Sequence, residues 1–191
     1  MKDTVFVFAR APRLGAVKRR LARDVGDRAA LRFHTGMLTR VARELGCCRR
    51  FRTVLAVTPD RARLRTRLPL VPQGRGNLGE RMARAAARVP RGRVAIVGCD
   101  IPGLGAADIV AAFRALGRAD AVFGPAEDGG YWLVARGPRR PARPFAGVRW
   151  STRHALADTL ANFSARRVAM LRRLRDVDTA EDYLAWNGGR I

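Results

Sequence analysis

The chain has 191 residues, which is the size of one ordinary domain and is enough to bury a hydrophobic core. Its hydrophobic fraction of 48% excludes a disordered tail, and its apolar runs are too short to span a bilayer. The three cysteines lack zinc or C-x-x-C spacing, and the N-terminal apolar run is too short for a secretory signal. We therefore predict one domain over residues 1–191, with free thiols, in the cytoplasm.

The formal net charge of +22 comes almost entirely from arginine, since only Lys2 and Lys18 among the 38 basic residues are lysines. The arginines are spread along the chain, which is typical of compositional bias and predicts neither a specific nucleic-acid partner nor membrane contact. The alternatives are a dedicated nucleic-acid surface and membrane binding by residues 166–175. In each case the charge attracts anionic ligands. Lys18 stands out, because guanidinium does not replace a compact ammonium at a tight site.

Apolar runs rich in β-branched residues alternate with helical patterns along the chain. The predicted strands cover residues 5–9, 53–58, 68–73, 94–100, 121–126, 131–135 and 167–171. The predicted helices begin near Ala16, at Asn77 and at Asp178, or cover residues 27–45, 106–116 and 151–163. This alternation predicts an α/β fold whose mostly parallel sheet is covered on both faces. The closely spaced fifth and sixth strands predict an antiparallel excursion late in the fold.

Ligands of open α/β sheets bind beyond the carboxyl ends of the strands, so the loops that follow the strands are the candidate sites. In the first loop, Gly15 lets the backbone approach a ligand closely, and Lys18 and Arg20 add positive charge. A helix starting near Ala16 would direct its N-terminal amides at a phosphate. The loop has neither a Walker A nor a G-x-G-x-x-G pattern, and its alternative interpretation is a basic surface turn.

The segment 73–82 reads QGRGNLGERM and combines three glycines with a helix start. Asn77 and Glu80 have the spacing of a capping box, which by itself explains both residues. The alternative is a nucleotide contact, in which Gln73 and the glycine-rich backbone meet a base.

Asp100 directly follows an apolar strand, where a carboxylate is costly unless it is paired, capped or bound to a metal. A Mg²⁺ or Mn²⁺ ion that bridges Asp100 and two phosphates would use this position well, and a turn cap is the alternative. Cys99 is predicted to be a buried strand thiol, because no histidine that could activate it lies nearby in the sequence.

The segment 124–134 places two acids before two glycines and two aromatic residues. Glu127 and Asp128 are candidates to bind hydroxyl groups or to act as a base. Gly129 and Gly130 would let the backbone approach a sugar or acceptor. Trp132 is predicted to be strand core.

Two weaker patterns lie outside these loops. Asp178 and Glu181 have the spacing of a second capping box, whereas Asp176 has no capping role and is a further candidate metal ligand. His34 and His154 fall within helical patterns and are predicted to be surface or packing residues.

Five segments occur in a recognisable order: FARAPRLGAVKRRLA, QGRGNLGERM, VGCDIPGL, GPAEDGGYWLV and FAGVRWST. Together they resemble the bacterial family of radical-SAM/selenodomain-associated transferase 1, also called the arsenosugar-biosynthesis glycosyltransferase family. The resemblance covers nearly the whole chain. That family is similar to glycosyltransferase-A-type nucleotide-diphospho-sugar transferases and to nucleotidyltransferases that make molybdenum and deazaflavin cofactors. The resemblance therefore implies that this chain folds as a Rossmann-like, three-layer α/β/α sandwich.

The resemblance also implies roles for individual positions. A nucleotide would bind at two loops, through Ala11, Gly15 and Lys18 in the first and through Gln73, Gly76 and Gly79 in the second. A divalent metal would bind Asp100, and Asp128, Gly129 and Gly130 would form the acceptor-side loop. Two positions depart from the family pattern, where Arg19 replaces threonine and Asn77 replaces aspartate.

These assignments predict a metal-dependent transferase that uses an activated nucleotide donor, with a nucleotide sugar preferred. Lys18 would neutralise the donor diphosphate, and Asp128 would orient or deprotonate a hydroxyl of a small-molecule or lipid acceptor. One alternative is a nucleotidyltransferase that uses a nucleoside triphosphate and releases pyrophosphate. The other is a non-enzymatic binder of nucleotides or polyanions.

Overall fold

The computed structural model describes residues 2–139 and 141–188. Seven strands are present: β1 (Thr4–Arg10), β2 (Arg52–Thr58), β3 (Leu70–Pro72), β4 (Val94–Gly98), β5 (Ala121–Pro125), β6 (Tyr131–Arg136) and β7 (Val168–Met170). Six helices connect or follow them: α1 (Arg19–Val25), α2 (Asp27–Cys47), α3 (Leu78–Ala87), α4 (Ala106–Ala115), α5 (Ala155–Ala161) and α6 (Ala180–Gly188).

The strands form one sheet in the order β3-β2-β1-β4-β6-β5-β7. All neighbouring strands are parallel except β6, which runs antiparallel to both β4 and β5. The predicted α/β fold with a mostly parallel sheet and a late antiparallel excursion is therefore confirmed. The antiparallel strand arises because only the short segment 126–130 separates β5 from β6, whereas a parallel crossover needs a dozen or more residues.

A hydrophobic core lies on each face of the sheet. On one face, α2 and α4 cover the strands through Leu38, Val41 and Ile109. On the other face, α3 and the segment around α5 contribute Met82 and Phe163. Because β1 and β4 are buried on both faces, their sequences are almost continuously apolar, which is what made them recognisable as strands.

Several predicted boundaries shift in the structure. The first helix begins at Arg19 and not near Ala16, because Lys18 adopts a left-handed backbone conformation with φ of 46°. The predicted strand 68–73 is reduced to three residues at the edge of the sheet. The last helix begins at Ala180, and Thr179, not Asp178, exchanges capping hydrogen bonds with the residue three positions later, Asp182.

The described helices show no candidate for a membrane-spanning segment. The three cysteines are free. Cys99 is buried as predicted but lies just after β4 and not within it, and burial raises the pKa of its thiol to about 12.

Candidate functional site

Lys18 is the central charged group at the carboxyl edge of the sheet. Its Nζ lies 2.6 Å from an Oδ of Asp100, after β4, and 2.6 Å from an Oδ of Asp178, before α6. The Lys18 side chain is only 6% exposed, while both aspartates are about one-third exposed. The ammonium therefore joins three segments that are far apart in the sequence.

The charges in this cluster stabilise one another. Burial alone would lower the pKa of Lys18, but the Asp100 and Asp178 carboxylates outweigh it and raise the pKa above its usual range. Burial alone would raise the pKa of Asp100, but the Lys18 ammonium holds it below the usual range. Lys18 and Asp100 are therefore both charged at neutral pH.

A small aromatic cluster between α2 and α6 holds the start of α6, and with it Asp178, close to Lys18. Phe33 of α2 packs edge-on against Tyr183 and Trp186 of α6, with ring centroids 5.5 and 5.3 Å apart. The backbone N–H of Val177 also donates to the carbonyl of Asp100, at 3.3 Å. These contacts hold the segment before α6 beside the loop after β4, as the candidate role of Asp176 at the metal requires.

Two adjoining cavities of about 620 and 470 Å³ open at this edge and share a rim. The rim consists of Phe8, Arg20, Gly98, Asp100, Ser151 and Asp178. The larger cavity, which we call the basic half, is also lined by Arg10, Lys18, Arg19 and His34. The smaller cavity, which we call the acidic half, is also lined by Asp128, Asp176, Leu78, Met82, Tyr131 and Trp150.

The acidic half holds carboxylates that have no cationic partner. Among the described residues, no basic side chain pairs with Asp128 or Asp176, and Asp128 accepts a hydrogen bond from the Gly130 N–H at 2.8 Å. Burial and the nearby carboxylates of Asp178, Asp128 and Asp100 raise the pKa of Asp176 to about 6. The two halves therefore differ in charge although they share a rim.

Carboxylate oxygens suit Mg²⁺ or Mn²⁺, and Asp100, Asp176 and Asp178 all line the acidic half. In residues 2–139 and 141–188, however, no group of three or more side chains is arranged as a complete metal centre. Lys18 occupies one oxygen of Asp100 and one of Asp178. The residues fit a metal that is held by one or two carboxylates and completed by substrate phosphates and water, which is how Mg²⁺ usually binds.

Of the predicted site residues, Lys18, Arg20, Asp100, Asp128 and Gly130 line the two cavities. Seven do not line them: Ala11, Gly15, Gln73, Gly76, Gly79, Glu127 and Gly129. Their predicted ligand contacts remain predictions.

Gln73, Gly79 and Ala11 have structural partners that the sequence did not reveal. The buried Gln73 side chain donates from Nε2 to the carbonyls of Ala9 and Ala56, at 3.2 and 2.8 Å, and so ties β1 to β2. A Cβ on Gly79 would lie 2.6 Å from the Cβ of Phe145, so this glycine permits close packing of α3. The Ala11 N–H donates to the carbonyl of Thr58 at 2.8 Å.

Around Asn77 the capping interpretation is confirmed. The Asn77 side chain accepts from the Glu80 N–H at 3.0 Å, and the Glu80 carboxylate accepts from the Asn77 N–H at 2.8 Å. The amide at this position therefore caps α3 as an aspartate would.

The loop 126–130 is fixed by backbone packing. Gly129 has φ of +84°, and a Cβ there would clash with the Arg153 carbonyl oxygen. Glu127 is exposed and lies 3.8 Å from Arg175. Trp132 is 2% exposed, which confirms it as strand core.

Three features of the site were missed from the sequence. The Asp178 carboxylate pairs with Lys18, whereas its spacing suggested a cap. His34 is buried, and its Nε2 lies 2.8 Å from the Arg10 carbonyl oxygen. It is a packing residue, as predicted, but it also lines the basic half of the site. Ser151 and Lys18 are the non-glycine residues with positive φ among those described, and both line the cavities. No local pattern marked any of these three.

Comparison with known proteins shows which family the chain belongs to. A profile described as an uncharacterized protein conserved in bacteria, DUF2064, matches residues 37–152, which include Asp100, Asp128 and Trp150. The chain belongs to the DUF2064 family. No curated protein matches it.

Several solved structures resemble this DUF2064 protein. A provisionally named nucleotide-diphospho-sugar transferase from Desulfovibrio desulfuricans G20 has a TM-score of 0.91 at 25% identity, over 100% of this chain and 89% of the other. Rv0371C from Mycobacterium tuberculosis H37Rv, in complex with manganese, has a TM-score of 0.55 at 18% identity, over 97% of each chain. A methylerythritol phosphate cytidylyltransferase from Thermus thermophilus has a TM-score of 0.56 at 13% identity, over 100% of each chain. The fold is that of nucleotide-diphospho-sugar transferases and nucleotidyltransferases.

Proposed function

We propose that this DUF2064 protein is a metal-dependent transferase that uses a nucleotide sugar as its donor. The observation that carries the proposal is Lys18, a buried ammonium set between Asp100 and Asp178 on the rim that joins a basic and an acidic cavity. The phosphates of a bound donor would compete with the two carboxylates for the Lys18 ammonium. This position is at the carboxyl edge of the sheet, where α/β folds bind ligands. The similarity to a nucleotide-diphospho-sugar transferase supports this interpretation.

The donor diphosphate would bind in the basic half. Lys18 can exchange its carboxylate partners for phosphate oxygens when a divalent cation takes over the charge of Asp100 and Asp178. Mg²⁺ or Mn²⁺ held by Asp100 would supply electrostatic stabilisation of the leaving diphosphate. Metal and nucleotide should therefore bind cooperatively, because the metal frees Lys18 for the phosphates and the phosphates free the Asp100 and Asp178 carboxylates for the metal.

The acceptor would bind in the acidic half, beside Asp128. Its hydroxyl oxygen forms the new bond to the anomeric carbon of the sugar, and the bond from that carbon to the diphosphate oxygen breaks. The Asp128 carboxylate takes the hydroxyl proton, and the nucleoside diphosphate leaves with the electron pair of the broken bond. Asp128 is partly held for this task by the Gly130 N–H.

A nucleotidyltransferase is the second candidate, favoured by the fold shared with a cytidylyltransferase. In that reaction an acceptor oxygen attacks the α-phosphorus of a nucleoside triphosphate, and pyrophosphate leaves. The finer assignment to the radical-SAM/selenodomain-associated transferases, and action in the cytoplasm, are parts of the same proposal.

The test is a thermal-shift panel of nucleoside mono-, di- and triphosphates and nucleotide sugars, with and without Mg²⁺ or Mn²⁺, at physiological salt. A ligand at one hundred times its Kd should raise the Tm by about 5–10 °C in the presence of metal. Asp100→Asn should abolish the metal-dependent part of the shift, whereas Asp24→Asn, on the exposed face of α1, should not. Metal-independent shifts that collapse between low and physiological salt would instead indicate a polyanion binder.

A further inference from the structure

The two halves of the site differ in more than charge, because the acidic half also has an apolar wall. Phe8, Met82, Tyr131 and Trp150 contribute to it, and Leu78 lies at the first turn of α3 with 42% of its surface exposed. Together these side chains give a concave site an apolar lining, which is typical of a ligand-binding cavity.

Trp150 is held in place by its neighbours. Its ring lies edge-on to Tyr131, with centroids 6.4 Å apart, and 6.1 Å from the ring of Phe145. Gly79 lies so close that an added Cβ would meet the Trp150 indole at 2.8 Å. The indole is half-buried, so it offers a rigid apolar surface that needs no reordering when a ligand binds.

Most of the charged groups that line the same cavity are acidic. Four of the 16 acidic residues of the chain, Asp100, Asp128, Asp176 and Asp178, line this one cavity of a protein with a net charge of +22. Arg20 and Arg153 also line it, but both are exposed to solvent, and Arg20 already lies 3.8 Å from Asp178. Lys18 is occupied by two carboxylates.

We infer that the acidic half accepts an uncharged or cationic alcohol with an apolar group, and that it rejects acceptors with a phosphate or carboxylate. The inference rests on the proposed function, since it assigns the acceptor of that reaction. The apolar group would lie on Trp150 and Leu78, and the hydroxyl at Asp128. An anionic acceptor would face Asp128 and Asp176, which have no cationic partner among the described residues, and no cation would offset the repulsion at these two carboxylates.

Three phenyl alcohols of similar size test the charge preference: phenylethylene glycol is uncharged, phenylglycinol is cationic and mandelate is anionic. Their Kd values are measured by saturation-transfer NMR with Mg²⁺ and a nucleoside diphosphate present. We expect both non-anionic probes to bind at least about tenfold more tightly than mandelate, despite the net charge of the protein. Equal or tighter binding of mandelate, or no binding of any probe at about 10 mM, would overturn the inference.

Two matched leucine variants test the apolar wall. Leu78→Ser should weaken both non-anionic probes about threefold to fivefold, because it removes part of the apolar contact. Leu184→Ser makes the same change at a leucine of α6 that is 68% exposed and does not line the cavity, so it should leave the Kd values unchanged. Equal effects of the two variants would contradict the assigned wall.

The nucleotide panel on the same samples separates the two ideas. If nucleotides bind with metal and mandelate binds as well as the other probes, the acceptor class is wrong while the donor assignment stands. If the probes follow the predicted order but no nucleotide raises the Tm, the ligand class is supported and the transferase proposal fails.

Discussion

The basic and acidic halves of the site use charge in opposite ways. In the basic half, Lys18 is buried and paired with Asp100 and Asp178, so these charges contribute to the fold, and we propose that they also bind the donor and the metal. In the acidic half, Asp128 and Asp176 have no cationic partner among the described residues. Charges that are already paired should mainly affect stability when removed, and charges kept unpaired should mainly affect function.

The largest effect is expected from Lys18→Met. It leaves Asp100 and Asp178 facing each other without their shared cation, and we expect a loss of about 2–4 kcal/mol of unfolding free energy. Metal-dependent nucleotide binding should also disappear. Urea denaturation and the thermal-shift panel measure the two effects.

The double variant Lys18→Met with Asp178→Asn separates these effects. It removes one of the repelling carboxylates and should recover most of the stability without recovering nucleotide binding. If the single variant is as stable as the wild type, the paired-charge description of the basic half is wrong.

Asp128→Asn should show the opposite pattern in the acidic half. Loss of the base should lower kcat by about 10²–10⁴-fold. The Kd for nucleotide and the urea midpoint should stay near the wild-type values, because no ion pair is broken. If Asp128→Asn lost stability but kept its kcat, the proposed contrast between paired charges that stabilise the fold and unpaired charges that serve function would be wrong.

Gly129→Ala tests whether the acidic half depends on close packing of its loop. The new Cβ would clash with the Arg153 carbonyl oxygen and would also sit at φ of +84°, so we expect a loss of about 2–3 kcal/mol. Gly147→Ala is the matched control, because Gly147 has φ of +68° but no atom of the described residues lies within 4 Å of a new Cβ. It should lose about 1–2 kcal/mol by urea denaturation, which is the backbone cost alone.

The smallest effect is expected at the N-terminal cap of α6, where Thr179 and Asp182 exchange hydrogen bonds next to Asp178. Burial would raise the pKa of Asp182, but hydrogen bonds from Thr179, Arg175 and backbone amides lower it to about 2. Because the folded state binds this proton less tightly than the unfolded state, the stabilisation is complete above about pH 4 and is lost as the pH falls through about 2.

Asp182→Asn should therefore lose about 2 kcal/mol at pH 7, since a pKa lowered by one corresponds to about 1.4 kcal/mol. The difference from the wild type should shrink below about pH 4. Urea denaturation at pH 7 and near pH 2 checks this, and a difference that stays constant across this range would contradict the assigned role of the carboxylate.

The sequence was most informative where local patterns dominate. The apolar run of β4 and the short connection between β5 and β6 predicted the sheet, and Asn77 with Glu80 predicted a capping box that is present. The sequence was less informative about residues whose type and spacing fit two different roles. The local spacing of Asp178 favoured a cap, and nothing in that spacing indicated an ion pair 160 residues away with Lys18.

The sequence by itself therefore determined the fold class and marked the loops at the carboxyl edge, with Lys18 and Asp100, as candidate sites, because periodicity and residue chemistry act locally. Only the tertiary structure decided which charges meet. It paired Lys18 with Asp178, left Asp128 and Asp176 without a cationic partner among the described residues, and placed Trp150 in the lining of the same cavity. Such contacts depend on how the crossings of the sheet and the packing of α6 bring distant segments together, and no local pattern records that.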